Sequence, residues 1–233
     1  MRGLLLSLVL LALAPAAFAE PPASSARSRV AEAQTAPLLA REMSAAGMRL
    51  GAPVFLRITK QPAELELWVA GADGAFVKFR TYPICAFSGA LGPKMRVGDG
   101  QAPEGFYAVA ARRMNPWSSY HLSFDLGYPN AFDRAHGRTG SALMVHGKCV
   151  SIGCYAMGDA AIEEVWTAMA AAFRAGQPFV RVHAFPFRME RLADHAAPAH
   201  AAFWADLKNG WDAFEKTKRP PEISVSGGRY VVR

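Results

Sequence analysis

Cysteine is scarce: the 233 residues contain only Cys85, Cys149 and Cys154. Three are too few for a disulfide-built scaffold, so a hydrophobic core must hold the fold. Charged residues make up 19% and hydrophobic ones 52%, which excludes a solvated, disordered polymer and suits one well-buried domain with decoration. No internal repeat and no heptad seam runs through the chain, which removes solenoids and coiled coils. No grouping of His, Cys and Asp has metal-site spacing, so neither a metal nor another cofactor is expected. Gly98-Asp99-Gly100 is followed by a strand pattern rather than a helix, so it is no dinucleotide fingerprint, and its loop has too few carboxylates for Ca²⁺. Past residue 19 no apolar run is long enough for a helical membrane span. Acidic residues are outnumbered 19 to 26 by Lys and Arg, for a formal charge of +7. The basic residues are scattered and no nucleic-acid motif accompanies them, so nucleic acid is not an expected partner. The charge suits an anionic polymer, a membrane surface or plain solubility.

The first nineteen residues read as a signal peptide. Arg2 supplies the positive end, Leu4–Ala14 the short apolar core, and Ala17-Phe18-Ala19 the small-x-small cleavage pattern. Its removal takes the formal charge from +7 to +6, since Arg2 is its only charge. Residues 20–50 read as a lead-in and a helix over 29–48. Val30, Ala33, Leu38, Leu39 and Met43 form its stripe, Pro37 a kink or break in it and Gly47 its end. Residues 51–186 read as the main domain. Strands are predicted at 53–59, 64–70 and 75–82, the third extending to Ala86. A Gly- and Pro-rich surface loop covers 88–105, strands follow at 106–111 and 121–125, and a long polar loop runs from Arg112 to Gly140. A helix over 158–176, capped by Asp159, buries Ile162, Val165, Trp166, Met169 and Phe173, and a strand at 179–185 ends at Pro186. Residues 187–233 read as an extension: a short helical turn, an amphipathic helix over 200–216 weakened at Gly210, and a hairpin about Gly227-Gly228.

The chain is organised around Ala142–Met157, ALMVHGKCVSIGCYAM. An apolar run delivers His146-Gly147, and Ser151-Ile152-Gly153-Cys154 follows, the Cys standing eight positions after the His and just before a helical pattern. Cysteine attacks as the thiolate, and an imidazole or a helix N-terminus lowers its pKa. The glycines allow backbone N–H groups to approach a developing oxyanion. Three cysteines permit one bridge and one free thiol. With Cys154 as nucleophile the bridge is Cys85–Cys149, and three reduced thiols stay equally open.

His-Gly, a spacer and Ser-x-Gly-Cys resemble the active-site motif of murein L,D-transpeptidases with a YkuD-type catalytic domain. Ala102-Pro103-Glu104-Gly105-Phe106-Tyr107 is similar to a second marker of that family. The short His–Cys gap, Tyr82-Pro83-Ile84-Cys85, the stretch 98–105 and Asp133–Gly140 (DRAHGRTG) resemble the YafK-type subgroup, so the likeness covers about residues 54–185. It implies an α+β fold, a β-rich catalytic domain with flanking helices, exported to the periplasm and acting on peptidoglycan stem peptides. By the same likeness Cys154 is the nucleophile, His146 the base, and Ser151, Gly153 and Tyr155 motif positions beside an oxyanion site. Arg134, His136, Arg138 and Gly147 are substrate-binding candidates. The implied chemistry is acyl transfer through a thioester. The alternatives are hydrolysis by the same pair, cutting a cross-link or releasing a peptidoglycan-linked lipoprotein, and non-catalytic binding of peptidoglycan. Two departures stand out: Ile152 replaces a His found in some members, and Ala156 an Arg or Asn found in many.

Overall fold

The computed structural model describes residues 20–233 apart from Ala196. The segment read as a signal peptide lies outside the described residues. In chain order the elements are α1 (Ala26–Ala45), β1 (Val54–Gln61), β2 (Glu64–Ala70), β3 (Phe76–Pro83), β4 (Ala86–Phe87), β5 (Gly105–Val109), β6 (Met114–Asn115), β7 (Ser123–Asp125), α2 (Ala131–Ala135), β8 (Met144–His146), β9 (Tyr155–Ala156), α3 (Asp159–Arg174), β10 (Val180–Phe187), α4 (Ala201–Thr217), β11 (Ile223–Ser226) and β12 (Arg229–Val232). The fold class is α+β. One five-stranded sheet has the order β3-β2-β1-β10-β5, a second the order β4-β9-β8-β7-β6, and β11-β12 is a separate hairpin.

The first sheet is covered on both faces, which explains why β1 is buried almost throughout, its polar Arg57, Thr59 and Lys60 included. Leu56, Ile58, Val182 and Ala184 join the main core with α3, the second sheet and part of α1. From the other face, Phe55 packs with Phe214 of α4. Phe106 and Phe185 join Phe203, Trp204, Leu207 and Trp211 of that helix. The predicted stripe on α3 is buried, with Trp166 fully inaccessible. Each such large side chain withdrawn from water contributes about 1.5–3 kcal/mol. Gly210 has a packing reason: a Cβ there would lie 2.4 Å from the Phe106 ring, so its absence lets α4 approach the sheet.

Several local expectations are corrected. α1 runs unbroken through Pro37, and its buried positions are Ser28, Ala31, Leu39 and Met43, while Val30, Ala33 and Leu38 face solvent. Pro37 and Ala33 lie on the exposed side, where water satisfies the carbonyl that proline leaves free. The third strand stops at Pro83, and the chain crosses to the second sheet, with the Cys85 N–H donating to Ala156 O at 2.8 Å. β10 continues through Pro186 because β5 stops pairing at Ala184, so no ladder donor is required on that side. The loop 88–105 is more than a surface loop, since Lys94, Ala102 and Glu104 are buried. Against the upward push of burial, the Asp99 carboxylate is held down to about pKa 2 by its bond from Lys94 and by the Arg96, Met95 and Gln101 N–H groups, which donate to it at 3.0, 2.8 and 3.1 Å. A fully buried pair, Lys60 with Glu104 at 2.9 Å, ties this loop to β1. Glu104 also accepts Trp204 Nε1 of α4 at 3.0 Å. Among the described residues no helix is long and apolar enough to cross a membrane.

Candidate active site

β8 and β9 run parallel, with Val145 beside Tyr155 and His146 beside Ala156. The same register sets Cys154, the residue before β9, beside Met144 at the start of β8, and Cys154 and His146 both line one small cavity. Cys154 is followed by a strand and not by a helix; α3 starts only at Asp159. The helix-terminus activation expected from the sequence is therefore absent. Gly158 is the N-cap of α3, and the Asp159 carboxylate accepts the Lys148 N–H instead, at 2.8 Å.

The short return loop between the two residues is stitched at every turn. Gly147 N–H donates to Leu122 O at 3.1 Å, and Gly158 N–H to Lys148 O at 2.8 Å. Cys149 is bridged to Cys85, their Cα atoms 5.4 Å apart, and Cys154 is the free thiol. Ser151 Oγ donates to Cys154 O at 2.8 Å, accepts the Gly153 N–H at 3.2 Å, and lies 3.3 Å from Ser88 Oγ. Only glycine fits at 147, because a Cβ would stand 2.6 Å from Asp159 Oδ1 and 2.8 Å from both His121 Cβ and Tyr120 O. Gly153 adopts φ +144°, a backbone conformation that side-chain-bearing residues avoid.

The Cys154 Sγ accepts the Met144 N–H at 3.4 Å. Burial pushes the thiol up from its ordinary value and Asp125 adds to this, against the opposing pull of the Met144 N–H and Lys94. His146 is buried and its pKa is lowered by that burial, partly offset by Gly147 O. The carbonyl must accept, so His146 Nδ1–H donates to Gly147 O at 2.5 Å and Nε2 is the basic nitrogen. The resting pair is thus neutral thiol and neutral imidazole. This corrects the expectation of a depressed thiol pKa.

The cavity holds about 180 Å³ and is lined by Tyr120, His146, Val150, Ser151, Ile152 and Cys154. Tyr120 belongs to the long polar loop that feeds the His146 strand, where no pattern around it marks it out from its neighbours. Its ring lies over the imidazole, with centroids 4.7 Å apart and a tilt of 35°. Arg27 holds the Tyr120 segment by donating to Ser118 O at 2.8 Å and His121 O at 2.7 Å. Ile152 is 89% exposed at the rim. The remaining candidates lie elsewhere. Tyr155 is fully buried, its hydroxyl donating to Pro103 O at 2.7 Å, so only its backbone adjoins the thiol. Arg134 is exposed and donates to Pro129 O. His136 and Arg138 line a different cavity.

No protein-family model matches the chain. A curated relative does: "Putative L,D-transpeptidase YafK" of Escherichia coli K12 is 45% identical over 185 residues, 78% of this chain and 75% of that protein. The chain belongs to the YafK-type L,D-transpeptidase family. The Escherichia coli O157:H7 protein of that name matches to the same extent. Two solved structures of the helical cell shape determining protein Pgp2 from Campylobacter jejuni are similar at lower levels. A mutant form gives TM-score 0.47 and 21% identity, covering 82% of this chain, which spans 65% of that structure's length. The other gives 0.46 and 17%, covering 80% of this chain and 79% of that one.

Proposed function

We propose that this family member is an exported peptidoglycan-acting enzyme that works through a Cys154 thioester. The observation that carries the proposal is the shared cavity on two adjacent parallel strands. A free thiol and an imidazole whose Nδ1 is committed to Gly147 O both face it, which leaves Nε2 for the thiol proton. Cys154 gives its proton to His146 Nε2 as the sulfur attacks an amide carbonyl of a peptidoglycan tetrapeptide stem. With the Gly153 N–H turned onto Ser151 Oγ, the Cys154 N–H is the oxyanion donor. The C–N bond then breaks, and the His146 imidazolium protonates the leaving amine. An amine or water next attacks the thioester carbonyl, His146 taking its proton, and the C–S bond breaks to restore the thiol.

The acceptor decides whether the product is a new link or a cut one. The cavity is small and its Ile152 rim stands open to solvent, which favours water and hence release of a stem-linked group, a tethered lipoprotein among them. In this reading the enzyme works in the periplasm after signal removal and needs no metal or cofactor. The test is mass spectrometry of purified muropeptides, with and without a tethered lipoprotein peptide. They are incubated with the mature protein and with Cys154→Ala. Hydrolysis gives shortened or untethered stems, transfer gives new cross-links, and either product must vanish in the variant. Matching traces from the two proteins would refute the thiol mechanism.

A further inference from the structure

The residues His136 and Arg138 line a second cavity of about 450 Å³, between the stretch after α2, α4 and the β11–β12 hairpin. Its walls are largely apolar, with Met95, Phe132 and Phe203 among them. The Arg138 guanidinium lies against two adjoining rings, its carbon 5.1 Å from the Phe132 centroid and 4.8 Å from that of Phe203. Asp133 accepts from its Nη1 at 2.8 Å. Its Nε–H is buried and meets no acceptor, the single such side-chain atom among the described residues. A buried donor without a partner costs about 1–3 kcal/mol. The same cavity receives Arg229, which Asp206 grips at 2.7 Å through Nε, and the imidazoles of His136 and His200. The side chain of Asp133 is 1% exposed and does not line the cavity; that of Asp206, 3% exposed, does, paired with Arg229, beside the aromatic faces and Arg138.

We infer that this cavity binds an apolar carboxylate, such as a hydrophobic amino acid or the carboxyl end of a peptide, with Arg138 gripping the carboxylate. Guanidinium takes carboxylate in a two-point clasp, and its Nε side is the one Asp133 leaves unused. The Phe132, Phe203 and Met95 walls then accept an apolar side chain. The inference does not rest on the thiol chemistry, because Cys154 lines a separate cavity.

The test is titration calorimetry on the mature protein with N-acetyl-leucine, leucine and N-acetyl-leucinamide. One site per chain is expected for a carboxylate ligand, with the amide at least tenfold weaker. Equal affinity for leucine identifies a free amino acid as the ligand, and preference for the acetylated form identifies a chain end. Arg138→Gln must weaken binding at least tenfold. Because that change also breaks the Asp133 pair, Ala202→Trp, on the exposed side of α4, supplies an independent block and must do the same. Alkylating Cys154 must leave the affinity unchanged. No heat with either carboxylate, an amide that binds equally well, full binding in Ala202→Trp, or loss on alkylation would each overturn the assignment.

Discussion

The neutral resting state of the Cys154–His146 pair predicts the pH dependence of thiol alkylation. Burial raises the thiol and lowers the imidazole, so neither offers the other a charge in the free enzyme. An ordinary thiol with pKa 9.0 is about 1% thiolate at pH 7, and the upward shift lowers that share. Iodoacetamide should therefore modify Cys154 at pH 7 at least about 100-fold more slowly than on its alkaline plateau, with one inflection on the alkaline side. The bridge between Cys85 and Cys149 removes both other cysteines from the assay. His146→Gln should leave this profile nearly unchanged while lowering turnover about 10²–10⁴-fold, because the imidazole acts only once substrate is being attacked. A shoulder with an inflection below pH 7, lost in His146→Gln, would mean a preformed thiolate–imidazolium pair and would refute the reasoning.

Other consequences concern the frame around the site. Lys60→Met leaves the Glu104 carboxylate buried without its cation, which should cost about 3–5 kcal/mol and lower Tm by roughly 6–20 °C. Adding Glu104→Gln should restore at least half of this, and a single-variant loss below 1 kcal/mol by circular dichroism would contradict it. His183, enclosed by Phe55, Phe106 and Phe185, is pushed down to about pKa 3 by burial and by Arg181 and Arg57. The unfolded chain then carries one more proton between pH 6.5 and 3. Its contribution is complete above pH 6.5 and lost as pH falls, by about 1.4 kcal/mol per unit and about 5 kcal/mol in all. Denaturant midpoints of His183→Phe should lack that share of the acid slope; identical slopes in both proteins would exclude it. Gly147→Ala should push the return loop off Asp159 and Tyr120 and lower turnover about 100-fold with the disulfide intact. Activity within threefold of the parent would show that the loop has room to spare.

Much of this arrangement is legible in the residues themselves. The strands of the first sheet, the buried face of α3 and the Gly227-Gly228 hairpin follow from period and turn chemistry, which are local. The errors arise where tertiary context decides. Pro37 is harmless because its side of α1 is wet, and Pro186 because β5 has already ended. The thiol reads as helix-capped because two residues of strand, Tyr155–Ala156, are too short to leave a pattern. At the site, the His–Cys spacing is visible in sequence, but Tyr120 over the imidazole is a contact between residues 26 positions apart and leaves no local sign. The likeness of the stretch 133–140 to the family marks Arg138 as important without saying where its guanidinium goes. Only the three-dimensional packing separates it from the Cys154 cavity.

The central claim is a covalent acyl-enzyme on Cys154. It is tested most directly by intact-protein mass spectrometry of the mature chain quenched in acid during turnover of tetrapeptide-stem muropeptides. The account predicts an added mass equal to the stem acyl group, located on Cys154 by peptide mapping, released by neutral hydroxylamine and missing in Cys154→Ala. It also predicts that in His146→Gln the adduct forms about 10²–10⁴-fold more slowly. Product formed by wild-type protein with no such adduct at any quench time, or equally by Cys154→Ala, would contradict it.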